Sequence, residues 1–249
     1  MGNRNLAKQK LVQGGYAFGT WIIDARHQSI VRQVAEAGLD FIYFDMEHSG
    51  LSWETIADFC EMTRACNLTP IVRPADLTRS STLKLLQIGA MGVMFHDVDS
   101  REEVEEIRSW VMASKSMLRQ DQARQSANDV SIVIQIETAK GLASVEKIMA
   151  GGGIDMVEIG RGDLAIELGH AAERNHPDVN AAIDRIVAAC NKNDIVACVT
   201  VFSQADAEDM VRRGVRCLAY SADRYILDKV FREASAMLNG VVGKQGAGR

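Results

Sequence analysis

Residues 130–169 read VSIVIQIETAKGLASVEKIMAGGGIDMVEIGRGDLAIELG, and this stretch decides the fold. Val130 to Ile136 is a run of apolar and β-branched residues ending in Gln135 and Glu137, and Ile154 to Ile159 is a second run, ending in Gly160-Arg161-Gly162-Asp163. Runs of this composition read as buried strands, so the unit is strand, helix, strand, loop. Glu137 and Asp163 then fall just past the C-terminal ends of consecutive strands. In a parallel barrel those ends lie side by side around one mouth, where two carboxylates can hold a single hard cation. Asp163 has an ordinary alternative, because ahead of Leu164-Ala165-Ile166 it can cap a helix by accepting an amide hydrogen bond. Glu137 terminates a buried strand, where a carboxylate is costly to desolvate unless something cationic faces it.

The same alternation continues on both sides. Downstream, Pro177 to Asn191 has helical spacing, Ile195 to Val201 reads as a strand, Ala205 to Arg213 as a helix ended by Gly214, Val215 to Tyr220 as a strand and Asp223 to Leu238 as a closing helix. Upstream, a polar helical start precedes strands at Phe18 to Ile23, Phe41 to Phe44, Thr69 to Val72 and Gly92 to Phe95. Helices at Ser29 to Ala37, Trp53 to Cys66, Thr78 to Ile88 and Ser100 to Ala113 separate them, with Gly38, Ser52 and Gly89 as boundary signals. The polar, glutamine-rich stretch 114–128 reads as a helical extension or a connector. Eight strands alternating with helices in 249 residues predict a single-domain α/β protein, a (β/α)8 TIM barrel over residues 1–240, with a disordered tail at 241–249.

A formal charge of −5 without a basic cluster excludes the concentrated Lys/Arg face that nucleic acid requires. The five cysteines are odd in number and form no C-x-x-C pair, which predicts buried free thiols in a reducing compartment. With no apolar leader and no membrane-length segment, a cytoplasmic protein is expected.

The strand ends collect Asp24, Asp45 with Glu47 and His48, Arg73, His96 with Asp97, Gln135 with Glu137, Arg161 with Asp163, Ser203, and Ser221 with Asp223. Helix caps alone would bring fewer ionisable groups to such a rim. His48 is the candidate acid/base, since Asp45 or Glu47 can orient its imidazole. Arg73, fixed by Pro74, either pairs with a rim carboxylate or forks onto a substrate carboxylate. Lys84, Lys140 and Lys147 fall on helices, which argues against a Schiff-base mechanism. The loops Ser203-Gln-Ala and Ser221-Ala-Asp contain no glycine, which argues against a phosphorylated substrate. A divalent metal, an arginine and a histidine beside a carboxylate suit a 2-oxo acid whose enolate is stabilised while a C–C bond forms or breaks.

Between Phe18 and Leu227 the sequence resembles the HpcH/HpaI-type metal-dependent 2-oxo-acid aldolases of the phosphoenolpyruvate/pyruvate barrel superfamily. The resemblance rests on Gly19-Thr-Trp21, Ala37-Gly-Leu-Asp40, Phe44-Asp-Met-Glu-His48, Val72-Arg-Pro74, Gln135-Ile-Glu-Thr138 and Gly160-Arg-Gly-Asp-Leu164. It implies that Glu137 and Asp163 bind Mg²⁺, with Mn²⁺ or Co²⁺ as substitutes, and that Arg73 and Gln135 contact pyruvate. It further implies that backbone at Gly160, Arg161 and Gly162 lines the substrate carboxylate, and that His48 acts as acid/base supported by Asp45. The expected enzyme is a class II aldolase, a carbon–carbon lyase joining a 2-oxo acid to a carbonyl acceptor, built as a homo-oligomeric trimer or hexamer that exchanges its last helix.

Two departures stand out. The connector Trp110 to Asn128 lacks the family's tyrosine-proline-proline run and arginine-glycine pair, and His96-Asp97 replaces proline and apolar residues. His96 is therefore either a substrate-facing group or a hydrogen-bonded structural one. The rivals are a relative acting on another carboxylic acid, such as a citrate-like one, and a barrel that binds without catalysis.

Overall fold

The computed structural model describes residues 5–114, 129–171 and 173–246. The chain starts with α1 (Leu6–Val12) and β1 (Ala17–Ile22), then α2 (Ser29–Glu36), β2 (Phe41–Asp45), α3 (Trp53–Ala65), β3 (Thr69–Arg73), α4 (Arg79–Ile88), β4 (Gly92–Phe95) and α5 (Arg101–Ala113). It continues with β5 (Ser131–Ile136), α6 (Ala139–Ala143), α7 (Val145–Met149), β6 (Met156–Ile159), α8 (Arg161–Glu167), α9 (Pro177–Lys192), β7 (Val196–Val201), α10 (Gln204–Arg212), β8 (Cys217–Ala222) and α11 (Asp223–Gly246). The strands close into one parallel barrel in chain order, β8 pairing back onto β1, as the alternation predicts. The expected connector falls, at 115–128, outside the described residues.

Strand parity divides the core in two. Side chains alternate across a strand, so one set faces the helices and the other the barrel axis. Ile42, Phe44, Val72, Val93, Phe95, Ile134 and Val157 belong to the outer layer. Phe41, Tyr43, Ile71, Met94, Val133, Met156 and Cys198 belong to the inner one. Continued by two residues, the inner parity carries Asp45, Arg73, His96, Gln135, Glu158 and Thr200 toward the C-terminal mouth. The interior is tight: a Cβ on Gly92 would lie 2.9 Å from Ile71 Cγ1.

The opposite end is closed. Ala7 and Leu11 of α1 pack into the inner layer. Just before α1, Asn5 Nδ2 donates to the carbonyls of Met91 at 3.0 Å and Asp129 at 2.9 Å and to Ser131 Oγ at 2.9 Å. Function is thereby confined to the other mouth.

The last helix corrects one expectation. Residues 241–246, read as tail, continue α11. Glycines inside an exposed helix cost only about 1 kcal/mol each, so Gly240 and Gly243 weaken the helix without ending it as a proline would. All five cysteines are free, and Cys60, Cys190, Cys198 and Cys217 are buried. Among the described residues no helix is long and apolar enough to cross a membrane.

Candidate active site

Asp45 and Arg73 end adjacent strands and are partners in the β2–β3 register. Arg73 Nε and Nη2 donate to Asp45 Oδ1 and Oδ2 at 3.0 and 2.7 Å. Its Nη1 lies 3.0 Å from Glu47 Oε2, and the guanidinium stacks 4.9 Å from the Trp21 ring. Of the two sequence readings of Arg73, the salt bridge is the one realised in the ligand-free chain. Asp45 Oδ1 also accepts the backbone N–H of Glu47 at 2.9 Å and of His48 at 3.3 Å. Ser49 Oγ donates to the Asp45 carbonyl. Asp45 thus shapes the loop that carries His48, and the carboxylate nearest the imidazole is Glu47, with Oε1 3.7 Å from Nε2. His48 itself projects into the mouth with 66% of its side chain exposed.

The β5–β6 side is built differently. Glu137 is 6% exposed, its Oε1 accepts the Asp97 amide at 3.2 Å, and its Oε2 accepts Gln135 Nε2. Among the described residues it forms no salt bridge. Burial pushes its carboxyl up to about 8, against the pull of the Asp97 amide, and the negative charges of Asp163 and Asp97 push the same way as burial. Asp163 is exposed, with no hydrogen bond or salt bridge among the described residues. The helix-cap reading of Asp163 does not hold: Gly160 occupies the cap of α8, and Asp163 lies within the first turn. Gln135 Oε1 is buried and without a hydrogen-bond partner. Position 160 must be glycine, because an added Cβ would come within 2.5 Å of the Glu137 side chain. Two carboxylates and an amide oxygen, none of them in a salt bridge among the described residues, are the donor set that hard divalent ions select, so the residues fit a metal.

Arg161 enters this region through its backbone alone. Its guanidinium turns to Asp206, with Nη1 and Nη2 each 2.8 Å from a carboxylate oxygen, and to the Thr200 carbonyl at 2.5 Å. Against the upward push of burial, Arg161 holds the Asp206 carboxyl below its ordinary value. His96 joins the two sides: its Nδ1 lies 3.1 Å from Asp97 Oδ2 and 3.4 Å from Glu47 Oε1, and its Nε2 is buried without a partner. Of the remaining rim residues, Asp223 is consumed by backbone amides of Ile23, Asp24 and Ala25, and Asp24 by Arg224.

A cavity of about 230 Å³ opens between these groups, lined among others by Trp21, His48, Arg73, Gln135, Gly160 and Asp163. Among the described residues no lysine lines it. Several of its residues escaped the sequence reading, Glu158, Arg174 and Phe202 among them. Glu158 on β6 is 2% exposed, accepts hydrogen bonds from Tyr43 Oη at 3.2 Å and Thr200 Oγ1 at 2.9 Å, and is pushed up to about 7 by burial. A lone carboxylate inside the apolar run Met156 to Ile159 was the available signal. Arg174 and Phe202 come from the loops after α8 and β7 and carried no signal, because only folding brings those loops over the mouth.

The family model for the HpcH/HpaI aldolase/citrate lyase proteins matches residues 18–223. A hydroxypyruvate/pyruvate aldolase of Paraburkholderia phytofirmans is 29% identical over 250 residues, covering 92% of this chain and 96% of that protein. A 2-dehydro-3,6-dideoxy-6-sulfogluconate aldolase of Pseudomonas putida is 31% identical over 69% of this chain and 72% of its own length. The crystal structure of an HpcH/HpaI aldolase from Desulfitobacterium hafniense superposes with a TM-score of 0.84 at 26% identity, covering 93% of this chain and 95% of that one.

Proposed function

We propose, for a chain that belongs to the HpcH/HpaI aldolase/citrate lyase family, that this mouth joins or separates pyruvate, or a similar 2-oxo acid, and a carbonyl acceptor. The protein is a carbon–carbon lyase of the aldolase type. One observation carries the site assignment: Glu137 is buried beside the like charges of Asp163 and Asp97 and has no salt bridge among the described residues. Glu137 and Asp163 would hold a divalent ion, Mg²⁺ first and Mn²⁺ or Co²⁺ in its place. Such an ion supplies the positive charge that makes an enolate accessible near neutral pH.

The chain's own groups do the rest. Gln135 Oε1 and the first-turn amides of α8, at Arg161 and Gly162 behind Gly160, line the oxo-acid side. Arg73, held rigid by Asp45, presents a fixed positive charge to developing negative charge on the substrate. His48, exposed at the rim and backed by Glu47, moves the proton at the acceptor oxygen or the oxo-acid C3. His96 keeps Glu47 and Asp97 in place through Nδ1.

The assembly is a homo-oligomer in which α11 covers a second copy. Tyr225, Leu227, Val230, Phe231, Met237 and Leu238 leave α11 with an exposed apolar side. A groove of about 770 Å³ beside β1, β8 and α10, lined by Phe18, Leu39, Val201, Ala207, Val211 and Leu218, is open to receive it. Trimers or hexamers are expected by light scattering. Five free thiols support a reducing compartment, the cytoplasm.

The test is proton exchange at the methyl group of pyruvate, followed by NMR in D₂O with Mg²⁺ or Mn²⁺ and then with chelator. Exchange that requires metal and disappears in Glu137→Ala and His48→Ala is the expected result. Its absence in folded, metal-loaded protein would remove pyruvate as the nucleophile and favour another carboxylic acid, and failure to bind metal would favour a non-catalytic barrel.

A further inference from the structure

The arginines around the mouth are not equivalent. Arg73 is taken by Asp45 and Glu47, Arg161 by Asp206, and Arg224 by Asp24, with Nε and Nη2 at 2.7 and 2.6 Å from its carboxylate. Arg174 also lines the cavity, yet among the described residues it has no hydrogen bond and no salt bridge. Its single recorded contact of this kind is with Phe202, whose ring centroid lies 4.6 Å from the guanidinium carbon. Stacking on a ring fixes the plane of a guanidinium while leaving its N–H edge unused, and that edge is shaped to take a carboxylate through two parallel hydrogen bonds.

The position of Arg174 says which part of a substrate it would meet. A Cβ added to Gly162 would lie 3.6 Å from Arg174 Nε, so the guanidinium hangs over the first turn of α8, next to Asp163. The same cavity wall includes Phe202, Ser221 and Tyr225, from the loop after β7, from β8 and from α11. The oxo-acid half is accounted for by Gln135, Gly160 and Gly162. Arg174 stands outside that half, over the open end. A rim arginine exists in water at some entropic cost to any ion pair, but here the stacked ring has already restricted it.

From this geometry we infer that Arg174, stacked on Phe202, forms an anion subsite, and that the carbonyl acceptor carries a negatively charged group, a carboxylate or a sulfonate, at the end remote from its reacting carbon. This rests on the reading of the mouth as an aldolase site. Asp206 is near enough for the charge of Arg174 to help lower its carboxyl, but its hydrogen bonds go to Arg161, and among the described residues Arg174 is the guanidinium of the cavity wall with no hydrogen bond and no salt bridge.

The test compares neutral and anionic acceptors of matched chain length with pyruvate as nucleophile: 4-oxobutanoate against butanal, and 3-oxopropanoate against propanal. Wild-type kcat/KM is expected to favour at least one anionic acceptor over its neutral match by tenfold or more. In Arg174→Ala that ratio falls about tenfold to fiftyfold toward one, and Arg174→Lys recovers part of it. A ratio near one in the wild type, or a ratio unmoved by Arg174→Ala, overturns the inference. A second readout needs no turnover: NMR titration with 4-hydroxybutanoate and with butane-1,4-diol. Selective binding of the anion that is lost in Arg174→Ala supports the subsite, and equal binding of the two overturns it. Pyruvate methyl exchange in the wild type reports separately on the aldolase reading, so exchange without anion selectivity refutes the subsite alone. Anion selectivity without exchange refutes the chemistry alone.

Discussion

The two sides of the barrel mouth are made of the same residue types and are in opposite states. On the β2–β3 side, Asp45, Glu47 and Arg73 close a buried network in which every charge faces its opposite. On the β5–β6 side, Glu137 and Asp163 stand near Asp97 with no salt bridge to either among the described residues, and the more distant charge of Arg73 is outweighed at Glu137 by burial. A closed network of charges is a structural element: it holds the His48 loop and fixes Arg73 before any ligand arrives. An open one raises the free energy of the folded chain until something cationic completes it. The difference teaches how to separate framework from binding site in a rim where nearly every position is ionisable.

The sharpest way to break this comparison is to remove one group from each side. Glu137→Gln should lower metal-dependent exchange by about a thousandfold or more, the scale of a lost electrostatic stabiliser. In metal-free protein it should leave stability unchanged or raise it, because a buried carboxylate without a salt-bridge partner is removed while an oxygen remains to accept the Asp97 amide. Urea denaturation with chelator present checks the second half; a clear loss of stability would mean that Glu137 is paired after all. Arg73→Leu should act in the reverse sense, costing about 3–5 kcal/mol of stability by stranding Asp45 and Glu47. Asp45→Asn should cost less, since Glu47 still pairs with Arg73 and the asparagine oxygen still accepts the loop amides. Equal stability losses on the two sides would dissolve the distinction.

The fold was legible in the sequence because strand parity and helix caps are local. Eight short apolar runs, each followed within two residues by a polar or charged one, place the rim residues without knowledge of any contact, and Ser52, Thr78, Ser100 and Ser203 do cap the helices they precede. Which rim residue pairs with which was not legible, because pairing depends on rotamers and on loops from distant parts of the chain. Arg161 illustrates the limit: in sequence it belongs to the motif around Asp163, and in space its guanidinium belongs to Asp206, 45 residues away. Asp45 and Glu47 were both open as partners of the His48 ring; Glu47 is the one near it, and Asp45 holds the backbone beneath. The helix end was misjudged for the opposite reason, since two glycines look like a stop signal and cost too little to be one.

Glu158 lies on the cavity wall below the mouth, and it gives the smallest effect and the finest test. Tyr43 Oη and Thr200 Oγ1 both donate to it, and Trp21 Nε1 donates to Thr200 Oγ1 at 2.8 Å, so hydrogen bonds converge on its carboxyl as on an anion. Burial opposes this and wins, pushing the group up to about 7 from an ordinary 4.5. Between those two values the folded chain binds a proton that the unfolded chain has released, so Glu158 makes stability fall as pH rises from about 4.5 to 7 and adds no further slope above that. Glu158→Gln removes the contribution. Relative to wild type, the variant should gain about 2 kcal/mol between pH 5 and pH 8, a figure set below the full linkage value because the network can relax. Urea denaturation of both proteins at four pH values within that range reads the difference directly, and other titrating groups cancel. If the two curves run parallel, Glu158 is ionised throughout, held by the nearby charges of Arg161 and Arg73, and the floor of the barrel would then belong with the closed side of the mouth.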